Sequence, residues 1–389
     1  MKYNLDKGFH AVYNLTSGLK ATRNYKFRLY PNKEQESQLL RWLETCRWIY
    51  NTALAQRKEA WERERRTVTR IEQQVWLKEA KKTDERLREI HSQVAQEVLF
   101  RVERAFAAFF RRVKNGETPG YPRFKGRGRY KSITFTQFGE GKGASFQDSK
   151  LRLSKIGLVK IKLHREIPGT IKTVIVKRDA AGKWWAIFAV EKELTQLQAN
   201  NGPAVGLDAG LEKFAALSDG SIIENPRHLR KTEKRLKHAQ RNLSRKKKGS
   251  RNREKARQKL AKLHAKIHNQ RRDFLHKQSR RLVETYGLIA VEKLNIKGMV
   301  KNHRLAKSIS DAGWGEFMAM LEYKAAEAGA RLVKVNPSGT SQECSGCGMD
   351  VPKELSERTH YCPYCGLILD RDVNAAKNIL KKALALEAA

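Results

Sequence analysis

The sequence predicts a multidomain α+β protein: a mainly β, barrel-like module that carries a helical insertion, then an α/β domain interrupted by a small four-cysteine module. Three observations predict this. A strand-like segment, Tyr25 to Tyr30, is separated from several further alternating segments by a long amphipathic stretch. Two short apolar runs, Ala204 to Asp208 and Gly287 to Glu292, each end in a carboxylate and alternate with helical sequence. Four of the five cysteines fall in two CxxC pairs.

The bulk properties set bounds on function. A chain of 389 residues has room for two or three cores of roughly 100 to 200 residues each. A hydrophobic share of 40% excludes wholesale disorder. Apolar stretches such as Trp184 to Val190 fall well short of the roughly 20 residues a membrane span needs. Met1 to Lys20 has no apolar signal core, and neither end carries a lipidation signal, so a soluble, cytoplasmic protein without a membrane partner is expected. Lys and Arg number 80 against 41 Asp and Glu, a net charge of +39. Such an excess points to a polyanion, most simply nucleic acid. A basic surface that serves solubility alone is the alternative, but it needs far less charge.

The elements follow in order. After a leader (1–22), the first strand (23–33) alternates and stops at Pro31. The insertion (34–115) repeats apolar residues at helical spacing, including Val94, Val98, Val102, Phe106, Phe109 and Val113. Cys46 lies within such a pattern and reads as a buried small hydrophobe. Gly and Pro residues from Gly116 to Gly128 end the helical block. In the rest of the β module (116–200), Ser132 to Phe138 and Leu151 to Leu163 alternate, and Thr173 to Lys177 pairs with Trp184 to Val190 across a turn at Asp179 to Gly182. The α/β domain (201–337) opens after Gly202-Pro203, with a hairpin turned at Asp219-Gly220. From 227 to 281 the chain is extremely basic. Leu229, Leu236 and Leu243, then Ala256, Leu260, Leu263 and Ile267, form apolar stripes that predict a two-helix hairpin with basic outer faces. A helix from Glu316 to Ala328 and a strand from Arg331 to Val335 precede the cysteine module (338–368); Asp370-Arg371-Asp372 starts a last helix (369–389).

Cys344-x-x-Cys347 and Cys362-x-x-Cys365 lie about fifteen residues apart, the spacing of a zinc ribbon. Each knuckle offers two thiolates to one face of a tetrahedral ion. Disulfides are the alternative, disfavoured by the absence of an export signal. One structural Zn²⁺ is expected, since four thiolates leave no open position for water. His360 adjoins the second knuckle and is not needed as a ligand.

Adjacent strands would bring Asp208 and Glu292 together at one sheet edge, and Asp372 at a helix start could join them. Converging acids repel unless cations bridge them, and hard oxygen ligands suit Mg²⁺. Two such ions about 3.5 to 4 Å apart would serve phosphodiester hydrolysis. Read singly, each acid is weak evidence, because a strand-terminal acid is more often a turn or cap residue.

The local motifs add a resemblance. Gly206-Leu207-Asp208-Ala209-Gly210, Ala290-Val291-Glu292-Lys293-Leu294, and the run from Cys344-Ser345-Gly346-Cys347-Gly348 through Tyr361-Cys362-Pro363-Tyr364-Cys365-Gly366 to Asp370-Arg371-Asp372-Val373-Asn374 closely resemble the TnpB proteins of insertion sequences, relatives of the type V CRISPR effectors. Thr45 to Leu54, Tyr121 to Lys125 and Thr340-Ser341-Gln342-Glu343-Cys344 extend the resemblance over most of the chain after Tyr25. It implies a RuvC-like, RNase H-type nuclease domain and a wedge-like β module around a helical recognition insertion. It also implies a Mg²⁺-dependent, RNA-guided DNA endonuclease. Asp208, Glu292 and Asp372 match the family's metal-binding triad, whereas Asp370 reads as the helix cap. Arg371 could meet a scissile phosphate or a neighbouring acid. The implied partners are a transposon-derived guide RNA and target double-stranded DNA with a short adjacent motif, in a monomeric ribonucleoprotein.

A heteroduplex of roughly 20 base pairs, with about 40 phosphates, fits the charge excess. Tyr121, Phe124 and Tyr130 interleave with Arg123, Lys125, Arg127 and Arg129, which suits stacking and phosphate contact or simply a basic loop. Two other functions compete: a nuclease-inactive RNA-guided repressor and a DNA-strand-transferring transposase. Gly139 to Gly143 lacks the spacing of a phosphate loop.

Overall fold

The computed structural model describes residues 20–193, 199–354 and 356–388. The expected leader lies outside the described residues except for its last three. The chain divides near residue 194 into two compact units, each with its own core.

In the first unit, β1 (Lys20–Tyr30) leads into α1 (Lys33–Glu64), α2 (Arg70–Thr83), α3 (Glu85–Glu89) and α4 (Ser92–Lys114). Pro31 ends the strand, and a capping box starts the helix: Asn32 Oδ1 accepts from Gln35 N at 2.8 Å, and Gln35 Oε1 from Asn32 N at 3.1 Å. Then come β2 (Ser132–Phe135), β3 (Ala144–Gln147), β4 (Lys150–Leu153), β5 (Gly157–Lys162), β6 (Thr170–Arg178) and β7 (Trp184–Glu193). They form an antiparallel sheet in the order β2-β6-β7-β1-β5-β4-β3. An isolated bridge from Phe138 to Ala144 draws its two edges together, so the sheet approaches a barrel. Trp42, Cys46 and Ile49 of α1 and Val94, Val98 and Val102 of α4 are buried in one core with Phe135, Val174 and Phe188 of the strands. Burial pushes the Cys46 thiol up to about 12, as befits a small hydrophobe.

Three details differ from the sequence reading. β1 begins at Lys20 because β7 pairs with it from Lys20 opposite Glu193 to Leu29 opposite Trp184; the partner, not an apolar pattern, extends the strand. Leu151 to Leu163 is two strands, turned where Lys155 (φ 65°) and Gly157 (φ 92°) take left-handed backbone. Tyr130 is buried beside Tyr50 and has no free face for stacking, whereas Tyr121 and Phe124 are exposed.

In the second unit, β8 (Ala204–Ala209), β9 (Lys213–Leu217) and β10 (Ile222–Glu224) precede α5 (His228–Ser244) and α6 (Arg251–Thr285), the basic hairpin. Then follow β11 (Leu288–Glu292), α7 (Ile296–Met299), α8 (Ala306–Ala312), α9 (Trp314–Ala328), β12 (Arg331–Val335), β13 (Thr359–Tyr361), β14 (Ile368–Asp370) and α10 (Arg371–Ala388). The short α7 and α8 span 4 and 7 residues, too few to show a helical period in the sequence. The sheet order is β10-β9-β8-β11-β12: β8, β11 and β12 are parallel, and β9 runs against both its neighbours.

Parity along the strands sorts the two faces. Val205, Leu207, Ile289 and Val291 pack with Leu275 and Leu282 of α6 and Phe317 and Leu321 of α9. Leu288 and Ala290 pack with Ile379 and Ala383 of α10 on the other face. Gly206 belongs to that second face and lies against α10 so closely that a Cβ would sit 1.9 Å from the Ala376 carbonyl oxygen. Only glycine permits this approach. No helix among the described residues is long and apolar enough to cross a membrane.

Candidate active site

β8 and β11 are hydrogen-bonded neighbours in parallel register, with Leu207 opposite Val291. Asp208 and Glu292 follow directly, so the next step of the ladder sets the two acids side by side at the C-terminal edge of the sheet. Both share strand parity with Gly206 and Ala290 and therefore face α10, whose first turn carries Asp372.

The electrostatics tie the three together. Burial raises the Asp208 carboxyl to about 7, and the charges of Glu292 and Asp372 add to the rise; Arg371 and the Ala209 N–H oppose it. Burial also raises Glu292, against the Thr340 hydroxyl and the charge of Lys382. Asp208 and Glu292 are thus frustrated as they stand, and added positive charge would relieve them, which suits divalent cations. Their oxygens do not close to the 4.8 Å spacing of the cysteine cluster described below. A pair of ions about 3.5 to 4 Å apart needs a wider cradle than a single ion does.

Asp370 has a different environment. Its Oδ1 accepts from the N–H groups of Asp372 (3.0 Å) and Val373 (3.3 Å), capping α10, and its Oδ2 lies 2.5 Å from Lys213 Nζ. Burial works to raise its pKa, but Lys213 and these N–H groups hold the carboxyl below its usual range. Arg371 Nε is 3.5 Å from Asp372 Oδ1, so in this structure it meets a neighbouring acid.

Thr340 was not singled out in the sequence. It is buried, and its Oγ1 lies 2.5 Å from Glu292 Oε1. Its only sequence signal was its place in the motif leading to Cys344; a buried threonine bonded to an acid 48 positions away has no periodicity to betray it.

The four cysteine sulfurs all lie within 4.8 Å of one another, with Cys344 to Cys365 at 3.7 Å and Cys347 to Cys362 at 3.5 Å. Zn–S bonds of about 2.3 Å in a tetrahedron place sulfurs about 3.8 Å apart, so the cluster fits one structural zinc ion. His360 is buried nearby and is not among the four. The knuckles repeat one turn. Gly348 N bonds to Cys344 O and Gly366 N to Cys362 O, both at 2.9 Å, with each glycine left-handed. Burial opposes ionisation of Cys362, but the N–H groups of Cys365 and Tyr364 and the neighbouring thiols bring it down to about 6, within reach of the thiolate a metal needs.

A family model described as "Probable transposase" matches residues 187–303, a "Cas12f1-like, TNB domain" model matches 314–379, and a "Helix-turn-helix domain" model matches 21–66. The last of these covers β1 and the single long helix α1. A Streptomyces pristinaespiralis protein named "Putative RNA-guided DNA endonuclease" is 40% identical over 94% of this chain and 90% of its own length. The chain belongs to the TnpB family. A second TnpB relative, Escherichia coli InsQ, carries the same description and is 33% identical over 93% of this chain and 92% of its own. A Cas12f1 chain from a complex with sgRNA and target DNA shares the fold, with a TM-score of 0.55 at 14% identity over 92% of this chain and 98% of that one.

Proposed function

We propose that this chain is an RNA-guided DNA endonuclease that hydrolyses target DNA phosphodiesters at Asp208, Glu292 and Asp372. The observation that carries the reading is the pairing of β8 with β11, which sets two acids 84 positions apart side by side, facing the helix that bears the third. The sheet order, with β9 alone of the five strands running against the rest, supports a RuvC-like, RNase H-type domain over 201–337 and 369–389. Residues 338–368 would form the zinc ribbon, and 23–33 with 116–200 a wedge-like module around the recognition insertion 34–115.

Asp208 and Glu292 would hold Mg²⁺ between them, with Asp372 closing the cradle from α10. When bound there, such cations supply Lewis-acid activation of water and neutralise charge at the leaving oxygen. Asp370 and Lys213 fix the start of α10, and with it the position of Asp372. The basic faces of α5 and α6 suit the phosphates of a transposon-derived guide RNA and its target duplex. A complete acidic triad favours cleavage over a binding-only repressor, and the named relatives favour a guided nuclease over strand transfer.

The test is a guided cleavage assay on the protein with its co-purified RNA. Asp208→Ala and Glu292→Ala should abolish Mg²⁺-dependent cleavage and leave guided DNA binding intact. Cleavage retained in either variant would overturn the assignment.

A further inference from the structure

Thr340 stands at a junction. Before it, the chain leaves β12, which pairs with β11 and places Val335 opposite Glu292. After it, a turn runs directly into the first zinc knuckle: Gln342 N and Glu343 N both bond to the Gly339 carbonyl, at 3.2 and 3.0 Å. The Thr340 hydroxyl has one proton and two acceptors in range, Glu292 Oε1 at 2.5 Å and the Pro337 carbonyl at 3.0 Å. An ionised carboxylate is the stronger acceptor and is also the nearer one.

The backbone around that hydroxyl is held from α10. Asn378 Nδ2 donates to the carbonyls of Thr340 (3.0 Å) and Glu343 (2.6 Å), and Asn374 Nδ2 also donates to Glu343 (2.8 Å). Asn374 Oδ1 accepts from Ser345 N, inside the knuckle, at 2.9 Å. Both asparagines are almost completely buried. They lie one turn apart on the helix whose first turn carries Asp372. One rigid lattice of hydrogen bonds therefore joins the cysteine module, α10 and the carboxylate of Glu292.

We propose that Thr340 is the positioning residue for Glu292, fixing which carboxylate oxygen faces the cation site, with the cysteine module as its anchor. This rests on the reading of Asp208 and Glu292 as cation ligands. A carboxylate with one oxygen already bonded offers the other in a single orientation, and the ion need not select it from several rotamers.

The experiment titrates Mn²⁺ into the full chain freed of nucleic acid and follows the thermal midpoint, in wild type, Thr340→Val, Thr340→Ser and Glu292→Ala. Valine keeps the shape and loses the hydroxyl; serine keeps the hydroxyl. Thr340→Val should need about tenfold more Mn²⁺ for the half-maximal shift, the size expected for one lost hydrogen bond to a charged group, and Thr340→Ser should stay near wild type. A Thr340→Val titration that overlays wild type overturns the proposal, as does an equal loss in the valine and serine variants. If Glu292→Ala itself leaves the Mn²⁺ response unchanged, the cation-site reading fails first, and the proposal with it.

Discussion

Lys213 Nζ lies 2.5 Å from Asp370 Oδ2, so of the two acids flanking Arg371, Asp370 is already engaged as both ion pair and helix cap. Asp372 adds its charge to the cluster around Asp208 instead. Asp370→Asn keeps the capping oxygen and loses only a partly exposed ion pair, a cost of about 1 kcal/mol. Asp370→Asn should therefore cleave within about threefold of wild type, whereas Asp372→Asn should lose more than about a hundredfold. Parallel single-turnover assays decide between the two acids.

Asp208 gives a pH signature. Its folded pKa of about 7 exceeds the ordinary value of 3.8. Between those values the unfolded chain has released the proton and the folded chain has kept it, so stability from this group falls as pH rises through that window. The full effect is at most about 4 kcal/mol, less to the extent that solvent reaches this half-buried carboxylate. In chelator at pH 7.5, Asp208→Asn should melt above wild type. The gap should close at pH 4 or on adding Mg²⁺, as differential scanning fluorimetry can show.

Gly206 offers a packing test that removes no carboxylate. A Cβ there meets the Ala376 carbonyl oxygen at 1.9 Å and Leu380 N at 2.9 Å, both backbone, so α10 must move. Gly206→Ala should cost about 1 to 3 kcal/mol in urea unfolding, the range for overpacking. It should also slow cleavage, because the same helix carries Asp372.

Zinc removal should act on stability first. The purified protein should contain one zinc per chain by elemental analysis, and Cys362→Ser should lose it along with part of the thermal stability. Dialysis against a strong chelator should reproduce the loss, more readily at acid pH, where protons compete with zinc for the four thiolates.

Much of this was legible in the sequence because it is periodic. The stripes at Leu236 and Ile267 gave the basic hairpin, and two apolar runs ending in Asp208 and Glu292 gave paired strands. Local pattern failed where the partner decides the conformation. Lys155 turns left-handed without being glycine, which split one expected strand into two. Tyr130 sits in a basic loop sequence but is buried against Tyr50. Thr340 and Asn378 act through contacts with residues distant in sequence, which no window of neighbouring residues contains.

The wiring of the second sheet also sets a schedule. The acids at 208 and 292 are separated by β9, β10 and the long α5–α6 hairpin, and the third comes only with α10. At about 5 to 20 residues per second of synthesis, Asp372 follows Asp208 by roughly 8 to 30 seconds. Until then Gly206 has no helix against it and no complete acidic cluster exists. If Asp208, Glu292 and Asp372 are the cleavage site, as proposed, a growing chain whose α10 has not yet emerged lacks the third acid and would not cut.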